Sequence, residues 1–351
     1  MPKFAIKLIP GLCLFFFLSS ALFFFSCRNK DLSGRIQGED EKTISVGVFI
    51  PGIISGSPVY EMLAEGVMAA AEKHNNGTRS VEIVIIEGGY NQAEWENKIT
   101  AMAASGSYNL IVSSNPSIPD IVSGISEKFP GQYFLLLDGE LRGNPRVYTL
   151  RYNQREQAYM AGYMAALETE ANGTVKRVGL IAAQEYPVMT NIILPGFLEG
   201  AQTVNPRYEV DFRIVGNWYD AAKAAELTES LIRSGVRVLL CIAGGANEGV
   251  VNTAGQSDAK VVWFDTNGYN IKPGTVIGSS VLHQDLAAYS QLNRFLSGTL
   301  PFGTAEIFGV NDGYVDFVQD DPIYRETVAK EIREKQAAMI DKIRSGELTL
   351  N

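Results

Sequence analysis

The sequence has 351 residues, is 46% hydrophobic and carries a formal net charge of -9. This length and apolar content predict two domains with substantial cores, and the acidic balance without a basic stripe argues against a nucleic-acid partner. With three cysteines and two histidines, the chain is expected to have neither a metal site nor a disulfide framework.

The N-terminus has the layout of a bacterial lipoprotein export signal. Lysines precede an almost unbroken apolar run at residues 8–25, and the small residue Ser26 precedes Cys27. This pattern predicts a signal peptide over residues 1–26, after which Cys27 is acylated, anchors the protein in a lipid bilayer and leaves the folded part facing the periplasm or cell exterior. The alternative is an uncleaved membrane anchor, because the run is close to the roughly 20 residues that a spanning helix needs.

Residues 27–43 are polar and of mixed charge, which predicts a flexible tether. From residue 44 onward, short apolar strands alternate with helical patterns in two blocks. Such an alternation predicts an α/β protein with two Rossmann-like lobes, each built on a parallel sheet and joined by crossover strands. We assign residues 44–150 and about 284–315 to lobe 1, and residues 151–283 and about 316–351 to lobe 2. Crossovers are predicted at residues 146–153 and 308–317.

The two blocks repeat with the same spacing. Asp138 follows Gly89 by 49 positions, and Asp265 follows Gly216 by the same interval. Both aspartates end apolar strands, and ligands of parallel sheets bind outside the carboxyl ends of the strands. We therefore expect Asp138 and Asp265 to point into one cleft between the lobes and to bind a ligand there. The alternative is that each aspartate only caps the turn that follows it.

Further candidate ligand-binding residues lie in loops and helix starts at strand ends. They are Tyr60, Asn115, Tyr186, Trp218, Gly244 and His283. Tyr60 in one lobe and either Tyr186 or Trp218 in the other are expected to stack on a flat ligand, with ordinary packing as the alternative. Gly244 would let the backbone approach a ligand. Asn115 and His283 would either bind the ligand or cap a helix.

Two helices carry no functional prediction. The pattern at residues 154–168 is rich in small residues and predicts a helix with a structural role, and residues 324–346 predict one solvated surface helix.

The chain also lacks an Asp/His cluster and a Gly-x-Ser-x-Gly elbow. The alternative function among enzymes is a hydrolase that acts on nucleosides, and such an enzyme would need catalytic groups of these kinds. We therefore expect a protein that is not an enzyme.

Several motifs, taken in order, resemble the basic membrane protein family of substrate-binding lipoproteins. They are residues 135–139, 196–206, 216–227, 243–245, Asp265 and 311–313. The likeness covers about residues 44–345. It implies the type I architecture of periplasmic binding proteins and an ABC-transporter membrane permease as partner. The best-known members bind purine nucleosides.

The resemblance also implies something about the ligand. Nucleoside-binding members carry a Phe-Asn pair where this chain has Val59 and Tyr60, and a lysine where it has His283. The two aspartates that bind sugar hydroxyls are retained as Asp138 and Asp265. A ligand that keeps a ribose-like chain but replaces the purine is therefore expected, and the sequence is similar to the riboflavin-binding branch. Riboflavin would be the transported ligand rather than a cofactor, and a purine nucleoside is the alternative.

Overall fold

A computed structural model of the chain describes residues 43–75, 80–172 and 175–350. The predicted signal peptide, Cys27 and the predicted tether except residue 43 lie outside the described residues. Across the described ranges, no helix combines the length and the apolar character needed to cross a membrane.

The first half of the chain alternates strands and helices. Its elements are β1 (Ile44–Ile50), α1 (Pro58–His74), β2 (Val81–Glu87), α2 (Trp95–Ala104), β3 (Leu110–Ser114), α3 (Ile118–Lys128), β4 (Tyr133–Leu137) and β5 (Val147–Tyr152). The middle of the chain repeats this alternation. Its elements are α4 (Gln154–Asn172), β6 (Arg177–Ala182), α5 (Leu194–Val204), β7 (Glu209–Ile214), α6 (Ala221–Arg233), β8 (Val238–Ile242), α7 (Asn247–Gln256), β9 (Lys260–Asp265) and β10 (Val276–Leu282).

The last part of the chain adds elements to both halves. They are α8 (Gln284–Leu296), β11 (Ala305–Phe308), β12 (Val315–Phe317), α9 (Pro322–Thr327) and α10 (Lys330–Arg344). One six-stranded sheet has the order β11-β5-β4-β3-β1-β2, and the other has the order β12-β10-β9-β8-β6-β7. All neighbouring strands are parallel except β10 and β12. The prediction of two α/β lobes with mostly parallel sheets is confirmed.

The central strands are mostly apolar and largely buried because helices cover both faces of each sheet. In β4, Leu135 and Leu137 pack into one core cluster while Phe134 and Leu136 pack into a second cluster on the opposite face. Alternate side chains of a strand point to opposite faces, so an unbroken apolar run is what a strand between two helical layers requires. This arrangement leaves the strand ends as the place where polar groups emerge.

The chain passes between the two sheets three times. The passages follow β5 at Tyr152, follow β10 at Leu282, and run from β11 to β12 between Phe308 and Val315. The strands that begin or end these passages lie toward one side of each sheet. Rotation of one lobe against the other is therefore expected to pivot at that side.

The extended crossover predicted at residues 146–153 is mostly β5, a strand of the first sheet, and the chain passes to the other lobe where this strand ends. One prediction about the C-terminal part of the chain is wrong. The predicted single C-terminal helix is two helices, because the backbone at Val328 and Ala329 is extended. The second of them, α10, also buries one face, and the Gln336 side chain donates a hydrogen bond to the Met160 carbonyl oxygen at 3.1 Å.

Candidate functional site

A cleft of about 580 Å³ lies between the carboxyl ends of the two sets of strands. Its volume is within the range of small-molecule sites. Seven aromatic side chains from both lobes line it. They are Tyr60, Tyr90, Trp95, Trp218, Tyr219, Trp263 and Phe264. Among the described residues, no Lys, Arg or His lines this cleft, and no group of acidic, Cys or His side chains is arranged to hold a metal ion.

Asp138 and Asp265 occupy corresponding places in the two lobes. Asp138 directly follows β4, and Asp265 is the last residue of β9. Both have a positive backbone φ, 54° at Asp138 and 70° at Asp265. Aspartate adopts this left-handed conformation more readily than most residues, and it turns the chain away as each strand ends. Asp265 lines the cleft, whereas Asp138 lies outside its lining, and both side chains are partly buried.

The surroundings of the two carboxyl groups favour their neutral forms. Loss of hydration and the neighbouring Asp265 carboxylate raise the pKa of Asp138 to about 8, although the Arg151 guanidinium partly offsets this. Loss of hydration also raises the pKa of Asp265 to about 6, against a hydrogen bond from Gln157 that lowers it. Repulsion between the two carboxylates therefore adds to the effect of burial on the pKa of Asp138. Two half-dehydrated carboxyl groups are acceptors for which hydroxyl groups are suitable donors.

Gln157, on α4, links the site to the core of lobe 2. Its Nε2 donates to Asp265 Oδ1 at 3.1 Å and to the Ser280 carbonyl oxygen at 3.1 Å, and the Ser280 hydroxyl donates to the Gln157 carbonyl oxygen at 2.8 Å. Gln157 is fully buried, so these contacts hold its amide in one orientation. The sequence indicated only a structural role for this helix. A buried polar residue among small apolar ones was the signal that was missed.

Tyr60 and Asn115 contact each other on the wall formed by lobe 1. The Tyr60 hydroxyl donates to the Pro51 carbonyl oxygen at 2.9 Å and accepts from Asn115 Nδ2 at 3.5 Å. Burial and the neighbouring Asp138 carboxylate raise the pKa of Tyr60 to about 12, against the Asn115 hydrogen bond. Asn115 Oδ1 accepts from the Ser117 amide at 2.9 Å. Asn115 therefore shapes the turn before α3 and also lines the cleft.

On the wall formed by lobe 2, Tyr186 and Trp218 are neighbours. Their ring centroids are 6.3 Å apart with an interplanar angle of 38°. Trp218 lines the cleft, whereas Tyr186 lies outside its lining. Gly244 has a φ of 58°, and a Cβ there would be 3.2 Å from the Trp218 ring, so this glycine makes room for the indole as well as lining the cleft.

His283 is one of three predicted site residues outside the cleft lining, together with Asp138 and Tyr186. It is the residue before α8, but its ring makes no capping hydrogen bond, so the capping alternative is wrong. Its backbone amide donates to the Tyr314 carbonyl oxygen at 3.0 Å, where β10 meets the segment before β12. His283 is not part of the cleft lining, and its proposed contact with a ligand stays a prediction.

Tyr90 and Tyr219 are among the lining residues that were not predicted from the sequence. Tyr90 follows β2 and Tyr219 follows β7, and their rings meet edge to face with centroids 5.5 Å apart. Both are exposed tyrosines in polar loops, which is an ordinary pattern for a surface. Both follow the glycine that begins the repeated interval, Tyr90 by one position and Tyr219 by three, and this was the available signal.

Comparison with known proteins agrees with this architecture. The model of the family described as "ABC transporter substrate-binding protein PnrA-like" matches residues 43–349. The ABC transporter nucleoside-binding protein BmpA of Lactococcus lactis is 25% identical over 69% of this chain and 71% of its own length. A purine-binding protein of Brucella abortus is 28% identical over 45% of this chain and 43% of its own length.

A solved structure gives the same result for the fold. The solute-binding protein of an ABC transporter system from Aeropyrum pernix K1 superposes with a TM-score of 0.74 at 21% identity, covering 88% of this chain and 93% of that one. The family match spans nearly every described residue and both lobes of the cleft. The chain therefore belongs to the PnrA-like family of ABC transporter substrate-binding proteins.

Proposed function

We propose that this substrate-binding protein captures riboflavin in the cleft between its lobes and delivers it to an ABC-transporter membrane permease. The observation that carries the proposal is the combination of a carboxyl pair with an aromatic lining. Asp138 and Asp265 offer acceptors to the hydroxyl groups of a ribityl chain. The aromatic rings offer faces and edges to a flat tricyclic ring.

The charge of the lining supports an uncharged ligand of this kind. Asp265 lines the cleft, and no basic side chain among the described residues lines it. Hydrogen bonds to ionised carboxylates contribute on the order of 1.5 to 3 kcal/mol each, which makes the hydroxyl groups the anchor of the ligand. The ring then selects the ligand through stacking on Tyr60 and Trp218.

A purine nucleoside is the second candidate. It is favoured by the nucleoside-binding relative from Lactococcus lactis and the purine-binding relative from Brucella abortus. A ribose would use the same two carboxyl groups, so the aspartates do not separate the candidates. The difference lies in the ring, because a purine is smaller than the flavin ring and leaves more of the aromatic lining uncovered.

Titration calorimetry of the purified protein with riboflavin, guanosine and adenosine tests the proposal. We expect riboflavin to bind with one ligand per chain and to lose its fluorescence, because stacking on electron-rich rings quenches it. A visible absorption spectrum of the protein as purified checks for flavin that was retained from the cell. Tight binding of guanosine without binding of riboflavin would overturn the flavin assignment and support the nucleoside. Release of free base from a nucleoside at ordinary enzyme rates would contradict a receptor.

The proposal also concerns where the protein acts. Members of this family are membrane-associated and act outside the cytoplasm. We infer that acylated Cys27 anchors the chain in the bilayer, so that the cleft can meet the permease. Metabolic labelling with a fatty acid tests this inference. The Cys27→Ser variant should lose the label, and retention of the label would show that the anchor is elsewhere.

A further inference from the structure

The Tyr90 and Tyr219 rings are the observation that leads beyond ligand recognition. They come from different lobes and meet edge to face, with centroids 5.5 Å apart and an interplanar angle of 82°. Both line the cleft, yet they remain 67% and 64% exposed. The contact therefore lies at the rim of the cleft, where the two lobes meet solvent.

The two loops that carry these rings are built alike. Tyr90 follows Gly89, whose φ is 71°, and Tyr219 lies three residues after Gly216, whose φ is 101°. The Gly89 amide donates to the Gly52 carbonyl oxygen at 2.9 Å, and the Gly216 amide donates to the Ala183 carbonyl oxygen at 2.8 Å. Each loop is thus tied by its glycine to the loop or strand end beside it. Each ring therefore extends from a turn whose backbone is held by a hydrogen bond.

The contact lies far from the pivot of lobe rotation, so a small rotation of the lobes is enough to break it. β2 and β7 are the edge strands of their sheets, and the passages between lobes leave from β5, β10 and β11 near the other edges. Four strand spacings separate β2 from β5, which places the contact about 19 Å from the pivot. A rotation of about 10° would separate the rings by about 3 Å, enough to break their contact.

We propose that Tyr90 and Tyr219 form a clasp that holds the cleft closed and sets the rate at which the bound ligand leaves. The proposal depends on the chain binding a small ligand in this cleft, but not on which ligand that is. An edge-to-face contact of this kind changes an equilibrium constant by about two- to tenfold. Because the contact exists only when the lobes are together, the change appears mainly in the dissociation rate.

Two other roles for the rings make different predictions. If each tyrosine touches only the ligand, their effects on dissociation should add. If they serve only as a docking surface for the permease, their loss should not change dissociation from the isolated protein. A clasp requires coupling, since removing one ring already removes the contact that the second ring makes.

Stopped-flow dissociation measured on a double-mutant cycle distinguishes these roles. The cycle contains Tyr90→Ala, Tyr219→Ala and the double variant, with riboflavin as ligand, or guanosine if riboflavin does not bind. We expect each single variant to release ligand about two- to tenfold faster and the double variant to be no faster than the faster single one. Tyr219→Phe keeps the ring and should restore a rate near that of the parent. Met68→Ala is the control, because Met68 is 48% exposed but not part of the cleft lining. Additive effects, or unchanged rates, would overturn the clasp.

A second measurement needs no ligand. Glu65 on α1 and Glu226 on α6 are exposed, so cysteines at these positions can carry spin labels on different lobes. Cys241 is buried and should remain unlabelled, and Cys13 and Cys27 are replaced by serine so that only the two introduced cysteines react. In the full-length protein in detergent, we expect the alanine variants to shift the distribution of label distances toward longer values. An unchanged distribution would overturn the clasp. A parent protein that binds neither riboflavin nor a nucleoside would instead overturn the proposed function and leave the clasp to be decided by the label distances.

Discussion

Asp138 and Asp265 end the fourth strand of their respective lobes, and both turn the chain with a positive φ, 54° and 70°. Loss of hydration and the charge of Asp265 together raise the pKa of Asp138 to about 8. Without a ligand, these carboxyl groups gain little from being together, because dehydration and mutual repulsion both disfavour their ionised forms. The pair is therefore expected to be unfavourable for the empty protein and favourable for the complex.

The first prediction concerns ligand affinity. Above pH 8, where both carboxyl groups are ionised, Asp138→Asn and Asp265→Asn keep the shape of the side chain but remove the charge, so each should weaken riboflavin binding by about tenfold or more. Titration calorimetry of both variants is the measurement. Asp316→Asn is a suitable control because Asp316 lies in β12, outside the cleft lining. Parent-like affinity in both site variants would remove these residues from the binding site.

The second prediction concerns the stability of the empty protein. A carboxyl group whose folded pKa lies above its unfolded value destabilises the fold as pH rises from the unfolded pKa of about 4 toward the folded one, which is about 8 for Asp138. Asp138→Asn removes this penalty. We expect the variant to unfold a few degrees higher than the parent at pH 8 and to show no such gain at pH 4. Thermal unfolding followed by circular dichroism tests this, and a lower unfolding temperature at pH 8 would contradict it.

The third prediction is a pH dependence of binding. The pKa of Asp265 is raised to about 6 and that of Asp138 to about 8, and hydroxyl groups donate more strongly to ionised carboxylates. Affinity should therefore increase as pH rises through this window, and binding should release protons. Calorimetry in buffers of different ionisation enthalpy measures the release. In Asp138→Asn the upper part of the pH dependence should disappear, whereas an affinity that falls with pH would reverse the assignment of the groups.

The fourth prediction concerns Gln157 as a positioning residue for Asp265. Gln157→Ala removes the donor that lowers the pKa of Asp265, so the pH at which binding becomes strong should move upward. Gln336→Ala is the matched control: Gln336 is also a fully buried glutamine, and its amide donates to the Met160 carbonyl oxygen, outside the site. Both variants should lose stability, but only Gln157→Ala should shift the pH profile. If the two variants showed the same pH profile of binding, Gln157 would have only a packing role.

The fifth prediction separates the ring of Tyr60 from its hydroxyl. Tyr60→Ala removes a stacking face worth roughly 1 to 3 kcal/mol, so riboflavin affinity should fall by about fivefold to more than a hundredfold. Tyr60→Phe loses only the contacts with Pro51 and Asn115 and should bind more tightly than the alanine variant. Fluorescence titration with riboflavin reports both affinity and quenching. Unchanged affinity in Tyr60→Ala would show that the ring does not stack on the ligand, even if riboflavin remains the ligand.

Much of the architecture follows from local patterns in the sequence. The observed alternation of strands and helices from Ile44 onward agrees with the predicted one, because apolar runs and helical periodicity are short-range signals. The equal spacing of the two glycine-to-aspartate intervals indicated a repeat. The positive φ at Gly89, Gly216 and both aspartates shows that the repeat extends to the backbone.

Contacts between distant residues were decided only by the tertiary structure. Gln157 is 108 positions from Asp265, and helical periodicity indicates that such a residue is buried without indicating which strand end it meets. The Tyr90 and Tyr219 rings meet only because the lobes close over the cleft, so no local pattern distinguishes them from ordinary exposed tyrosines. Similarly, the position of His283 at the end of a strand did not indicate that this residue would lie outside the cleft lining. Sequence patterns determined the elements and the ends at which polar groups emerge, whereas packing of the lobes determined which of those groups share one cleft.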